Sequence, residues 1–315
     1  MLIWVLFLTL IIIFLAIDLG VFNKQSHIIS AKEAGKMTSL WCSMALLFSG
    51  VIYYLYASGN IENPHDISPW EAALLYLTGY LVEISLSMDN IFVMSMIFTY
   101  FAIPKKYQHR VLFWGILGAV VFRAIMILIG VTLIEKFHWT IYLFGFILIY
   151  SAIKMARTNT EESDFENNKI VQFLTKVLPV TYQMDGEKFT IRKKGKIFFT
   201  PLFVVLLMIE ISDVVFAVDS IPAILGITTD SFIVFTSNIF AILGLRSMYF
   251  LLDSLLTRFR HLHYSLIFIL SFVGVKMLLT DVVHLPIWLS LSVIIGALML
   301  GVVFSLKNKD PLSTS

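Results

Sequence analysis

LVEISLSMDNI at positions 81–91 and ISDVVFAVDSI at 211–221 are the two stretches whose comparison decides the fold. Aligned without gaps, they place Glu83 on Asp213 and Asp89 on Asp219, and each stretch lies within a long apolar run. A charge at the bilayer centre costs about 2.5 to 3.5 kcal/mol on insertion scales, so acids matched in register at that depth point to an ion or proton site. Glu210, three residues ahead of Asp213, joins them as a fifth candidate.

The surrounding composition supports a membrane setting. The chain has 315 residues, 58% of them hydrophobic and 14% charged, with a mean hydropathy of +0.87; soluble domains carry about 25% charge. Crossing about 30 Å of hydrocarbon takes about 20 helical residues. Nine such runs are expected, near 1–21, 37–57, 71–101, 111–134, 139–156, 200–226, 232–253, 263–283 and 285–306. The last two are separated by a tight turn at His284, Leu285 and Pro286. The first run has no basic start, carries Asp18 and is followed by lysines, so it reads as a retained helix and not as a signal peptide.

Basic residues set the expected orientation. Of 23 Lys and Arg, 18 fall in alternate connections: Lys24, Lys32, Lys36; Lys105, Lys106, Arg110; eight in 157–196; Arg258, Arg260; and Lys307, Lys309. Those connections are expected to be cytoplasmic, which puts the N-terminus outside and the C-terminus inside. The opposite loops hold only Lys136, while Arg123, Lys154, Arg246 and Lys276 lie in or at the ends of spans.

The repeat extends beyond the acids. YLFGFILIYSAIKM at 142–155 lies on YSLIFILSFVGVKM at 264–277 with six identities in fourteen, and Arg123 lies on Arg246 one span earlier. Three helices therefore recur. An odd number of spans per copy makes the second copy run the opposite way, the inverted plan of many secondary transporters, whose sites lie near the midplane between the copies. The expected organisation is two accessory helices in 1–70, a first three-helix repeat in 71–156, a cytoplasmic loop in 157–199, the inverted repeat in 200–283, and a last helix and tail in 284–315. The fold class is an all-α polytopic membrane protein.

The chemistry of the acids narrows what they hold. Glu83 and Asp89 stand about 9 Å apart along a regular helix and about 120° apart around it, so a compact site requires both copies or a broken helix. Pro222 lacks an N–H and crowds the carbonyl of Val218 beside Asp219, so a helix break is expected there. A carbonyl freed at membrane depth must face protein or water, where it could serve a cation. The first copy has Phe92 at the matching position, with Asn90 able to offer an amide oxygen. Carboxylate, amide and carbonyl oxygens suit Mg, Ca or Mn, whereas thiolates and imidazoles suit Zn, Cu or Ni. All seven histidines fall in loops or at helix ends, and Cys42 is the one cysteine, which excludes an internal disulfide and a multi-thiolate site.

Buried carboxylates without a metal are expected to hold protons, because desolvation disfavours the charged form. Metal binding then expels protons, and exchange of a divalent cation for protons follows. Arg123 and Arg246 either pair with the carboxylates permanently or occupy them only when the metal is absent. Lys154 and Lys276 are expected to snorkel to the interface. The loop opens with Glu161, Glu162, Asp164 and Glu166 and closes at 188–199, where FTI and IFF flank Lys193, Lys194 and Gly195 as in a short hairpin. Protein partners through this loop are open; no nucleic-acid motif is present, and no enzyme-like grouping of nucleophile, base and orienting group is apparent.

GYLVEISLSMDNIFV (79–93), EISDVVFAVDSIPAI (210–224) and TSNIFAILGLRSMYFLL (236–252) resemble the signatures of the TerC family, in particular its Alx-like branch, and the likeness runs over nearly the whole chain. The resemblance implies manganese export across the bacterial inner membrane, no resident cofactor, and Glu83, Asp89, Glu210, Asp213 and Asp219 as the metal-facing acids. The alternative is a membrane scaffold that assists insertion or metal loading of secreted proteins, with acids and arginines as structural pairs.

Overall fold

The computed structural model describes residues 2–17, 29–64, 66–157, 178–181, 183–193, 195–253, 262–283 and 285–307. Nine α-helices occur among them: α1 (Leu2–Ile17), α2 (Ala31–Ala57), α3 (Pro69–Tyr100), α4 (Lys105–Lys136), α5 (Thr140–Arg157), α6 (Pro201–Leu225), α7 (Ser231–Asp253), α8 (Leu262–Leu278) and α9 (Ile287–Lys307). Seven are long and apolar enough to cross a bilayer, and α1 and α8 are shorter apolar helices. Asp18, the acidic opening of the central connection (Glu161, Glu162, Asp164, Glu166), Lys24, Arg258, Arg260, His284 and Lys309 lie outside the described residues.

Local chemistry sets the helix starts. Ser68 and Glu71 form a reciprocal capping box on α3 with Pro69 in the first turn, the arrangement that satisfies two orphan N–H groups at once. Asp230 Oδ1 accepts from the backbone N–H of Phe232 and Ile233, each at 3.0 Å, and so caps α7. The expected break at Pro222 does not occur. Helix α6 continues through it and stops three residues later at Leu225; every residue from Ser220 to Leu225 is buried, and that packing holds the last turn in spite of the lost bond to Val218 and the crowding of its carbonyl. The turn between the last two helices begins earlier than expected, with α8 ending at Leu278 and residues 279–282 in turns.

Helix α7 is the centre of the bundle. In its apolar window 94% of residues are buried, against 28% for α2 and 17% for α9, so α7 is enclosed by protein where the outer helices present side chains to lipid. The largest helix contacts join α5 to α8, α3 to α7, α4 to α6 and α2 to α7, with α3 also packing on α6 and α4 on α7. Small residues permit the closest crossings. A Cβ on Gly145 would lie 3.1 Å from the Gly274 carbonyl oxygen, and one on Gly274 would lie 3.0 Å from that of Gly145, so α5 and α8 meet backbone to backbone as small-residue membrane interfaces do.

The expected hairpin forms. β1 (Thr190–Lys193) and β2 (Lys196–Phe199) pair antiparallel, with Thr190 opposite Phe199 and Lys193 opposite Lys196. Gly195 takes φ +79° in the turn, a conformation glycine adopts without steric cost. A lone hairpin is marginal in water, but this one is anchored: Arg110 of α4 bonds Glu187 at 3.1 Å and lies over the Phe189 ring.

Candidate metal centre

Helical spacing sorts the acids onto two faces. Glu83 and Asn90 on α3 are seven residues apart, as are Asp213 and Ser220 on α6, so each pair lies on one face almost two turns apart. Asp89 and Asp219 come one residue before Asn90 and Ser220, about 100° round the helix. The first face of each helix turns to Arg123, and the second borders a cleft.

Arg123, 1% exposed at the middle of α4, gathers the first face. Its Nη2 and Nε donate to Asp213 Oδ1 and Oδ2 at 3.0 and 3.3 Å, a two-pronged contact, and its Nη1 donates to Glu83 Oε1. Asn90 Nδ2 donates to Asp213 Oδ1 at 2.9 Å, and Asn238 Nδ2 of α7 to Glu83 Oε2 at 3.1 Å. Arg123 Nη1 also reaches Ser220 Oγ at 3.4 Å and Asn238 Oδ1 at 3.5 Å. All six residues are buried. Two carboxylates face one guanidinium, and four helices are tied together by bonds among otherwise costly buried groups.

The second face borders a small cleft lined by Ser87, Asp89, Phe216 and Asp219, and also by Glu83, Asn90, Arg123 and Ser220 of the network. Asp219 Oδ1 accepts from Ser151 Oγ of α5 at 2.6 Å. Ser87 Oγ and Asn90 Oδ1 are buried with no hydrogen-bond partner among the described residues. The orientation of Asn90 is dictated by its neighbour: a carboxylate has no proton to give, so the NH2 group must face Asp213 and the amide oxygen is left for another donor or a cation.

The five acids therefore do not form a single cluster. Among the described residues no three His, Cys, Asp or Glu side chains converge closely enough to enclose a metal ion. Glu83 and Asp213 are joined through Arg123, and Asp89 and Asp219 face the cleft. Glu210 stands apart, its carboxylate pressed against Gly118 of α4, where a Cβ would come within 2.1 Å of Oε1. Its Oε2 is buried without a hydrogen-bond partner among the described residues. Arg246 lies seven residues before Asp253, the last residue of α7. It borders one cavity shared with Asp213 and another shared with Glu33 of α2. The two arginines matched by the repeat thus occupy different surroundings.

Five residues were missed in the sequence, among them Ser87, whose buried Oγ borders the cleft. Asn238 and Ser220 contact Arg123, Ser151 contacts Asp219, and His263 Nδ1 lies 3.9 Å from Asp89 Oδ1. The polar run Thr236, Ser237, Asn238 inside an apolar helix was a usable signal for the first, and the seven-residue spacing of Asp213 and Ser220 for the second. Nothing local marked Ser151 or His263.

Comparison with known proteins agrees with this architecture. Residues 68–311 match the family described as "Integral membrane protein TerC family". The "Uncharacterized membrane protein STKORF319" of Myxococcus xanthus is 45% identical over 99% of this chain and 94% of its own. The "Putative membrane-bound redox modulator Alx" of Salmonella typhi is 45% identical over 96% of this chain and 94% of its own, and an "Uncharacterized membrane protein" of Rickettsia felis is 43% identical over 98% of each. No solved structure matches significantly. The chain is a multi-pass integral membrane protein and belongs to the TerC family, in company with relatives named Alx.

Proposed function

We propose that the protein is a secondary transporter that exports a hard divalent cation, manganese first, across the bacterial inner membrane in exchange for protons. The observation that carries this reading is the cleft, where Asp89 and Asp219 share one space with two buried oxygens, Ser87 Oγ and Asn90 Oδ1, that have no hydrogen-bond partner among the described residues. An all-oxygen donor set of this kind suits Mg, Ca or Mn. Manganese within that group, and the outward direction, come from the family resemblance. A metal ion and protons compete for the same carboxylate ligands, which would couple the two fluxes.

The helix packing supports an inverted repeat of α3–α5 and α6–α8. Exchanging the two halves carries the α3 contact with α7 onto that of α4 with α6, and leaves the α5–α8, α3–α6 and α4–α7 contacts in place. Asp89 and Asp219 are then equivalent ligands from opposite halves, and rocking the halves about the cleft alternates access. The distribution of Lys and Arg puts the N-terminus outside and the hairpin in the cytoplasm. With Cys42 as its one cysteine the chain has no dithiol to cycle, so a role in redox balance, as in the relatives' name, would run through the metal moved.

The rival reading, a scaffold for metal loading or insertion of secreted proteins, draws on the Arg123 network, which pairs both Glu83 and Asp213 without any metal. Flux in proteoliposomes separates the two. Purified full-length protein is expected to move manganese opposite to the flow of protons down an imposed gradient, and Asp89→Asn or Asp219→Asn to stop it. Absence of manganese flux from the unaltered protein would overturn the transporter.

A further inference from the structure

His263 opens α8 beside the cleft and makes two contacts that fix its chemistry. Its Nε2 lies 3.2 Å from the backbone carbonyl oxygen of Met155, a residue whose side chain lines the cleft. A carbonyl oxygen only accepts, so Nε2 carries the proton and donates it there. In the neutral ring Nδ1 is then a lone-pair acceptor. That Nδ1 is buried, has no hydrogen-bond partner among the described residues, and stands 3.9 Å from Asp89 Oδ1. Two acceptors thus face one another across a gap too wide for a hydrogen bond.

A metal ion between them satisfies both. Two bonds of about 2.1 Å to one ion separate their donors by about 3 Å at a right angle and about 4.2 Å in line, and 3.9 Å falls inside that range. A ligating histidine also characteristically donates its other N–H to a backbone carbonyl, which holds the ring in orientation. We infer that His263 is an imidazole ligand for the cation in the cleft, coordinating through Nδ1 beside Asp89, and that it biases an otherwise all-oxygen site toward transition metals over calcium and magnesium. The bias follows from donor chemistry, since imidazole suits transition metals and oxygen ligands alone do not discriminate against the alkaline earths. The inference rests on the transporter reading and adds a selectivity element to it.

The test uses the full chain in nanodiscs, without added histidines, loaded with manganese and measured by pulsed electron paramagnetic resonance. A nitrogen-14 coupling from a bound imidazole is expected in the unaltered protein and is expected to vanish in His263→Gln. In titrations, His263→Gln and His263→Ala are expected to lower manganese and zinc affinity at least about tenfold, with calcium affinity changed less than about twofold. Manganese bound without a nitrogen coupling overturns the histidine ligand and leaves the transporter standing; it is also the result if His263 instead holds Asp89 as a protonated ion pair. No manganese binding by the unaltered protein overturns both.

Discussion

Asp213 and Asp219 sit six residues apart on one helix and have opposite surroundings. Asp213 is 3% exposed and gripped by Arg123 and Asn90; Asp219 borders a cleft and is held by the hydroxyl of Ser151. The same split separates Glu83 from Asp89 on α3. One face of each helix is closed by a guanidinium that ties four helices together, and the neighbouring face keeps carboxylates available. A buried charge must be paired to be tolerated, whereas a transport ligand must exchange partners. Dividing the two tasks between acids about 120° apart round the helix lets one pair of helices perform both.

The sharpest way to break this division is to remove Arg123. Arg123→Leu leaves Glu83 and Asp213 buried without a counter-charge, and is expected to cost about 3 to 5 kcal/mol of stability, read as loss of folded protein in detergent or a steep fall in chemical denaturation midpoint. Arg123→Lys is expected to rescue only part of this, because an ammonium cannot reproduce the fork on Asp213 while also reaching Glu83.

Asp89→Asn and Asp219→Asn probe the other face. Manganese flux is expected to fall at least about 100-fold, which is about 2.7 kcal/mol, while the denaturation midpoint shifts by less than about 1 kcal/mol. A large loss of stability in either variant would place these acids with the structural pair and favour the scaffold.

Asn238→Ala tests whether the locked face depends on its neutral partners. It removes a donor from Glu83 Oε2, and the expected cost is about 1 to 3 kcal/mol. In a double-mutant cycle with Asn90→Ala the two effects are expected to be non-additive, since both amides act on one network around Arg123.

The smallest effect is expected from Ser151→Ala. Losing its bond to Asp219 is expected to cost about 0.5 to 1.5 kcal/mol at most, seen as a several-fold change in the manganese concentration giving half-maximal flux with little change in unfolding. A loss as large as that of Asp219→Asn would make Ser151 part of the binding set itself.

How far these faces were legible depended on distance along the chain. The repeat identified Glu83, Asp89, Asp213 and Asp219 because matched acids inside apolar runs are a local signal, and hydropathy gave the helices with ends up to six residues off, at α2 and α4. Pro222 misled, because sequence shows that a proline forfeits a bond but not that packing holds the turn around it. The distribution of the five acids was not legible either: Glu83, Asp89 and Asp219 border one cleft, Asp213 is gripped by Arg123, and Glu210 stands against Gly118. Spacing placed residues on faces, but the choice between Arg123 and the cleft depends on which helices pack beside each face.

Composition and periodicity by themselves determined that this chain crosses a membrane, where its helices run, that acids recur in two related segments and that one hairpin closes the central connection. Those properties arise from transfer of apolar side chains out of water and from backbone preference, which act over a few residues. Only the tertiary structure decided that Arg123 reaches carboxylates 40 and 90 residues away, that Asp89 and Asp219 share a cleft, and that His263 arrives beside Asp89. Such pairings arise because buried polar groups must find partners wherever helix packing brings them, and no local segment specifies which partner that is.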